Sequence, residues 1–136
     1  MAAANSRPEL QAATRLVRLT RRADFLAAAR DVRRVSGGVT LELTRTPDAT
    51  HVPGTCRVGF TASRKVGNAV CRNRAKRRLR ALARALLPLS ARPGHDYVLV
   101  ARTPVLILDF QALLDDLAAA IATAHRKLDA RTGGDS

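Results

Sequence analysis

The stretch VCRNRAKRRLRAL, at residues 70–82, constrains the fold most, because its cationic and apolar residues recur with helical spacing. With about 100° between successive residues of an α-helix, the apolar side chains form one stripe, which holds Cys71, Ala75, Leu79, Leu82 and Leu86. The polar face holds Arg72, Asn73, Lys76, Arg77, Arg80 and Arg84, with Arg74 and Arg78 at its edge. A disordered tail needs no such stripe. The pattern therefore predicts an amphipathic helix that packs on a sheet and turns its cationic face outward.

The cationic face has no acidic residue to offset its repulsion. Like charges four residues apart, as at Arg72, Lys76 and Arg80, destabilise an isolated helix by roughly 0.2–0.5 kcal/mol per pair. A solvated helix face usually mixes both signs, so exposure to water alone explains the pattern poorly. Phosphates would relieve the repulsion and release counterions. The face therefore favours a polyanionic ligand, with Asn73 at its centre facing a base edge, a phosphate or a 2′-hydroxyl.

The charge balance of the whole chain favours the same kind of partner. The formal net charge is +13, and the region between Asp48 and Asp96 contains eleven Arg or Lys residues but no acidic residue. A balance this basic indicates nucleic acid first and an anionic membrane surface second. Aromatic residues make up only 3% of the chain, so stacking of bases on aromatic side chains is not expected to be the main mode of binding.

The segment SRKVGNAV, at 63–70, leads into the basic helix and extends its cationic character. Arg64 and Lys65 precede the helix, while Gly67 and Asn68 suit a tight turn. The first N–H groups of a helix have no partner inside it and attract anions. We therefore expect this connection to contribute to the binding surface.

Three helices are predicted from apolar spacing. The first covers RRADFLAAAR at 21–30, with Thr20 as its N-cap. The second is the basic helix, which Pro88 is expected to end or to follow closely after its end. The third follows Asp109 as its cap, with an apolar stripe of Phe110, Leu113, Leu114, Leu117, Ile121 and Leu128.

Strands are predicted where apolar residues alternate with polar ones or form a short run. VTLELT at 39–44 and CRVGFTA at 56–62 alternate, and YVLVA at 97–101 is almost wholly apolar. A chain of 136 residues suits one domain with one core. We predict a single-domain α+β fold with the element order α-β-β-β-α-β-α.

Residues typical of protein catalysis or metal binding are sparse. His51, His95 and His125 are scattered along the chain, and nothing pairs a nucleophile with a base. Cys56 and Cys71 form no CxxC and indicate small apolar side chains in a reducing cytosol. No catalytic or metal-ligating residue is therefore predicted. The helical pair Asp115–Asp116 is expected at the surface.

Neither a signal peptide nor an apolar run of membrane-spanning length is visible in the sequence. We therefore expect a cytoplasmic protein. Residues 1–14 and 129–136 are expected to be flexible terminal segments that flank a domain at 15–128.

The central sequence RVGFTASRKVGNAVCRNRAKRRLR, at 57–80, closely resembles the signature region of the protein subunit of bacterial ribonuclease P. The resemblance includes the Arg-Asn-Arg motif at 72–74 and the preceding Gly-Asn-Ala-Val. RADF at 22–25, YVLVAR at 97–102 and the Leu-rich last helix agree with it, so that it covers about residues 15 to 128.

This resemblance implies a fold and an activity that the residues alone do not show. The fold it implies is an α/β sandwich with a left-handed βαβ crossover, against the usual right-handed rule. The activity is removal of the 5′ leader of precursor tRNA by a catalytic RNA to which the protein binds. The chemistry then belongs to the RNA and its Mg²⁺, and the protein itself is expected to hold no cofactor.

The resemblance also implies roles for particular residues. Phe25 matches an aromatic position that lines the leader cleft, and Phe60 is a second leader-cleft candidate. Ala29 stands where a second aromatic residue is common, so electrostatics are expected to carry more of the leader contact. The candidates for RNA binding are Arg64, Lys65, Asn68, Arg72, Asn73, Arg74, Lys76, Arg77, Arg78 and Arg80.

Two other functions share part of this pattern. A general nucleic-acid-binding or ribosomal module would have the same charge but does not explain the Arg-Asn-Arg motif. A membrane-surface protein with an amphipathic basic helix would fit the helical wheel. It leaves the strands unexplained, and the core needs the apolar face of the helix.

Overall fold

The computed structural model describes residues 13–133, which form an α+β domain of five strands and three helices. The predicted fold class is confirmed, with one further strand at the N-terminal end. In chain order the elements are β1 (Arg15–Arg18), α1 (Arg22–Ala29), β2 (Val32–Val35), β3 (Val39–Arg45), β4 (Thr55–Ala62), α2 (Ala69–Ser90), β5 (His95–Ala101) and α3 (Phe110–Gly133).

All five strands join in one mixed sheet with the order β1-β4-β5-β3-β2. β1 and β5 both pair in parallel with β4, whereas β3 pairs antiparallel with both β5 and β2. α2 connects β4 to its parallel neighbour β5, so β4–α2–β5 is the βαβ unit for which the resemblance implies a left-handed crossover. The hand of that connection stays a prediction.

Alternation along the strands sorts their side chains onto two faces of the sheet. On one face Leu41, Leu43 and Leu99 pack with buried leucines of α2 and α3 in the main core. On the other, Ala28 of α1 and Leu19, in the connection before α1, cover Val98. The sheet therefore lies between α1 on one side and α2 with α3 on the other.

Arg57 ties α1 to the sheet through a network of ion pairs. Its Nε and Nη2 donate to the Asp96 carboxylate at 2.8 and 2.6 Å, and its Nη1 donates to Asp24 of α1 at 3.2 Å. Thr46 Oγ1 donates to the same Asp96 carboxylate at 2.6 Å. The Asp96 side chain is only 1% exposed, so its charge depends on these partners.

The N-terminal strand and the start of α1 differ from the predictions. β1 was not predicted, because RLVR is too short to show alternation and two of its residues are exposed arginines. Thr20 is not the N-cap of α1; Arg21 occupies that position and makes no side-chain capping hydrogen bond.

Helix α2 continues past Pro88 to Ser90, contrary to the prediction that it ends at or just before this proline. The N-terminal segment caps the carbonyl groups at this end, because Thr14 N–H donates to Pro88 O at 2.8 Å and Thr14 Oγ1 to Ala91 O at 3.1 Å. Thr14 is buried, although residues 1–14 were predicted to be flexible. Residues 1–12 of that segment lie outside the described residues.

Helix α3 follows the predicted cap and extends further than expected. Asp109 Oδ2 accepts from the N–H groups of Gln111 and Ala112 at 3.1 and 3.3 Å, as predicted. The helix continues to Gly133 and so includes residues 129–133 of the predicted tail, whose flexibility stays a prediction. Residues 134–136 lie outside the described residues.

Candidate nucleic-acid interface

A tight connection sets the start of α2. Gly67 has a φ of +139°, and a Cβ there would lie 2.9 Å from Cys71 Cβ, so this position requires glycine. Asn68 then caps the helix, because its Oδ1 accepts from Cys71 N–H at 3.0 Å. Arg64 and Lys65 are exposed in the single 3₁₀ turn just before this cap. The connection thus brings two cations beside the first turn of α2.

The apolar stripe predicted for α2 is confirmed, since its central members are buried against the sheet and α3. Cys71 and Leu86, at the two ends, are half-buried. The fully buried residues of α2 are Ala75, Leu79, Leu82, Ala83 and Leu87.

The polar side chains of α2 lie in three rows. One row is half-buried and holds Arg72, Lys76 and Arg80, of which Lys76 and Arg80 lie beside the edge of β4. The outermost row is exposed and holds Asn73, Arg74 and Arg77. Arg78 lies on the third side, toward α3.

Three of the arginines also contact the protein itself. Arg72 Nη1 donates to Gly67 O at 3.0 Å, which braces the turn before the helix. Arg78 Nη2 donates to Leu108 O at 3.0 Å, and its guanidinium lies 6.0 Å from the centre of the Phe110 ring. The guanidinium of Arg80 lies 6.0 Å from the centre of the Phe60 ring. These contacts hold the side chains in place, which lowers the entropy lost on binding a phosphate.

Phe25 and Phe60 lie on opposite faces of β4 yet border the same small cavity. The Phe25 ring packs over Gly59, where a Cβ would lie 2.4 Å from the ring. The cavity has a volume of about 60 Å³ and is also lined by Lys76 and Arg80. It exists because β1 pairs with β4 only as far as Val58, so that the rest of the β4 edge on this side has no strand beside it.

A larger groove, of about 490 Å³, crosses the sheet beyond the β4–α2 connection. Its cationic side chains are Arg33, Lys65 and Arg102, of which only Lys65 was predicted to bind RNA. Arg33 and Arg102 lie far from the basic helix in the sequence, and only the pairing of β2, β3 and β5 places them beside Lys65. Arg102 Nη1 donates to Ser36 O at 2.7 Å, which fixes its guanidinium.

Comparison with known proteins gives this surface its context. The family model described as "Ribonuclease P" matches residues 14–125 of the chain. The chain belongs to the ribonuclease P protein family. A ribonuclease P protein works with an RNA subunit in removing the 5′ leader from precursor tRNA, as part of a ribonucleoprotein endoribonuclease.

Relatives within the family span most of the chain. The chain is 52% identical to the "Ribonuclease P protein component" of Ruegeria pomeroyi over 108 residues, which cover 79% of this chain and 85% of the relative. It is 46% identical to the protein of the same name from Caulobacter vibrioides over 112 residues, covering 82% and 73%.

Two solved structures share the fold. The RNase P protein of Staphylococcus aureus has a TM-score of 0.62 at 22% identity and covers 79% of this chain and 94% of its own. That of Thermotoga maritima has a TM-score of 0.61 at 23% identity, with coverages of 77% and 94%.

The histidines of this ribonuclease P protein are less scattered than the sequence suggested. The rings of His95 and His125 lie 6.3 Å apart, beside the buried Tyr97, whose hydroxyl is 2.7 Å from His125 Nε2. Because Tyr97 Oη already accepts from Arg92 N–H at 2.9 Å, it donates to a neutral His125. Burial, followed by the charge of Arg92, lowers the pKa of His125 from 6.5 to about 4.

This cluster predicts a pH-dependent stability. An imidazole with a lowered pKa in the folded state takes up its proton mainly on unfolding, so its contribution is fully present above pH 6.5 and is lost as pH falls toward 4. Within that window we expect the free energy of unfolding to fall by up to about 1.4 kcal/mol per pH unit. Urea denaturation at pH 7.0 and 5.0 measures it. A His125→Gln variant with the same pH dependence as the wild type would refute the assignment.

Within residues 13–133, no three or more His, Cys, Asp or Glu side chains are grouped so as to hold a metal ion. None of the helices there is long and apolar enough to cross a membrane. Asp115 and Asp116 are exposed on α3, as predicted.

Proposed function

We propose that the cationic face of α2 binds the catalytic RNA subunit of ribonuclease P, and that the surface around the β4-edge cavity holds the 5′ leader of precursor tRNA. The observation that carries this proposal is the half-buried row of Arg72, Lys76 and Arg80, in which Lys76 and Arg80 line the cavity at the open edge of β4. One helix thereby faces two RNA strands.

The exposed row is suited to a folded RNA. Arg74 and Arg77 present guanidinium groups that can hold phosphate oxygens through two parallel hydrogen bonds. Asn73 between them has both a donor and an acceptor for a base edge or a 2′-hydroxyl. Arg64 and Lys65 extend the surface beyond the start of α2. Asn68 uses its Oδ1 as the helix cap, so only its amide N–H₂ group remains to bind RNA.

The surface around the β4-edge cavity is suited to a single strand that lies across it. Phe25 and Phe60 offer aromatic surface, and Lys76 and Arg80 offer charge for the flanking phosphates. Single-stranded nucleic acid is generally held by this combination of stacking and cationic contact. Since Ala29 leaves α1 with one aromatic residue, the cations contribute the larger share here.

The protein's part in cleavage is binding and positioning. The hydrolysis belongs to the RNA and the Mg²⁺ that the RNA orders, as in the family. We further propose a cytoplasmic location, which fits the two unpaired cysteines Cys56 and Cys71.

Cleavage of a precursor tRNA at low Mg²⁺, with the catalytic RNA alone and with this protein added, tests the proposed function. Binding of both RNAs by the protein lowers their mutual repulsion, so we expect the protein to restore cleavage that the RNA alone performs slowly. No stimulation across a range of Mg²⁺ and protein concentrations would exclude the function. If the protein binds an unrelated duplex RNA as tightly as it binds the catalytic RNA, a general RNA-binding module would be favoured instead.

Lys76→Gln tests the assignment of the leader. Because Lys76 lines the β4-edge cavity, we expect the holoenzyme to bind precursor tRNA roughly five- to tenfold more weakly and mature tRNA unchanged. Arg77→Gln, one residue on but in the exposed row, is the matched control. It should weaken association with the catalytic RNA and leave the ratio of precursor to mature tRNA affinity as in the wild type. Equal ratios in the two variants would contradict the assignment.

A further inference from the structure

A second cavity, of about 230 Å³, lies between β1, β4 and α2. It shares Arg18, Val58, Phe60 and Arg80 with the β4-edge cavity and extends from there along the α2 side of the sheet, past Leu16 and Ala83. Its apolar walls are formed by two of the shared residues, Val58 and Phe60, and by Leu16 and Ala83. The proposed leader site does not account for this extension.

The walls and the rim of this cavity differ in character. The four wall side chains are apolar, and Ala83, at 1% exposure, is small enough to leave the space open. The rim carries three arginines, Arg18, Arg80 and Arg84, and no acidic residue lines the cavity. Arg18 and Arg84 are exposed, so their charges are available to a ligand.

We propose that this cavity binds one unstacked nucleotide of an RNA strand. A base inserts its flat apolar faces between Phe60 and Ala83, and its 5′ and 3′ phosphates meet the arginines at the rim. The volume suits a single base and is too small for a base pair. A bulged or looped nucleotide has unstacked faces to bury, which a helical one lacks. Three rim cations and apolar walls match a nucleotide better than an acidic peptide, which has no flat apolar group between its charges.

This proposal rests on the proposed RNA-binding function, but its first test needs neither the catalytic RNA nor precursor tRNA. Methyl NMR spectra of the full-length protein are recorded during titration with adenosine monophosphate and, separately, with ribose 5-phosphate. We expect the adenosine nucleotide to shift the methyl resonances of Leu16, Val58 and Ala83 in a saturable way. Ribose 5-phosphate lacks the base and should leave them in place. Equal shifts from both compounds, or none from either, would overturn the proposal.

Ala83→Leu separates a base-binding cavity from a cluster of surface charges. The longer side chain fills the cavity and removes no charge. We therefore expect roughly five- to tenfold weaker RNA binding with an unchanged salt dependence. Binding is measured in two assays, one with the catalytic RNA and one with precursor tRNA and the assembled holoenzyme. The assay in which binding weakens identifies the RNA whose nucleotide enters the cavity. Affinity equal to that of the wild type in both assays would overturn the proposal.

Arg84→Gln keeps the test decisive if Ala83→Leu fails to fold, because Arg84 is exposed and lines this cavity but not the leader cavity. We expect weaker binding in the same assay that Ala83→Leu affects. The slope of log affinity against log salt concentration should fall by about one. Arg126→Gln, an equal change of charge on α3, is the control and should change affinity less than twofold. Equal effects of the two substitutions would refute the site. If the wild-type protein stimulates cleavage but its methyl resonances show no shifts specific to adenosine monophosphate, this inference is refuted and the proposed function stands.

Discussion

Replacing Arg57 with methionine is expected to lower the free energy of unfolding by about 3–5 kcal/mol, the typical cost of removing one partner from a buried ion pair. The reason lies in Asp96, which is 1% exposed and receives two hydrogen bonds from Arg57. Its hydrogen bonds with Asp96 raise the pKa of the Arg57 guanidinium, so the cation is present at any pH at which the protein folds. Without it, Asp96 keeps only Thr46 as a hydrogen-bond donor among the contacts described.

Urea denaturation at neutral pH measures this effect, and two further variants interpret it. Arg33→Met removes a cation whose contact with Glu42 is longer, at 3.8 Å, and whose side chain is 60% exposed. That loss should cost less than about 1 kcal/mol. Arg57→Met combined with Asp96→Leu should recover part of the loss, since no charge is then left buried. A cost for Arg57→Met no larger than that for Arg33→Met would contradict the account.

The Arg57 network also connects stability with the proposed leader site. Arg57 is hydrogen-bonded to Asp24, which directly precedes Phe25 in α1. Loss of the network would therefore free the helix that carries the Phe25 ring over Gly59.

The second large effect is expected from the exposed row of α2. Substitution of both Arg74 and Arg77 by glutamine should weaken binding of the catalytic RNA by roughly 10- to 100-fold, because each removes charge-assisted hydrogen bonds to phosphate. The slope of log affinity against log salt should fall by about 1.5, as two fewer counterions are released. Filter binding between low and moderate salt measures both quantities.

The control for this experiment is a pair of equal charge. Arg126 and Lys127 are exposed neighbours on α3 that line none of the cavities described above. Replacing both with glutamine should leave the salt slope nearly unchanged. If the two double variants lower affinity equally, the protein binds through its overall charge and not through the face of α2. The thermal stability of both should stay near that of the wild type, since all four side chains are exposed.

Much of the candidate interface was readable from sequence because it is local. The spacing of apolar residues between 70 and 86 correctly predicted which side of α2 is buried, and the residues left over define the cationic face. The Asp109 cap and strands β3, β4 and β5 were likewise predicted to within two residues. The Arg-Asn-Arg motif at 72–74, with its neighbours, indicated the family that the comparisons confirmed.

Other features depend on which distant segments meet. The short strand β1 is stable only through its pairing with β4, and its early end opens the edge where Phe25 and Phe60 border one cavity. The last turn of α2, which includes Pro88, is capped by Thr14, 74 residues away in the sequence. Arg57 and Asp96 are of residue types that are usually exposed, and nothing in the sequence marks them as buried. They are buried together only because β4 pairs with β5.

By itself, then, the sequence determined the amphipathic basic helix and the fold class, because helical and strand periodicity are properties of neighbouring residues. It indicated the family through the resemblance of the motif at 57–80. The tertiary structure alone decided the sheet order, the two cavities beside β4 and the burial of the Arg57–Asp96 pair. These arise from contacts between residues far apart in the chain, and their energies depend on burial that no local pattern records.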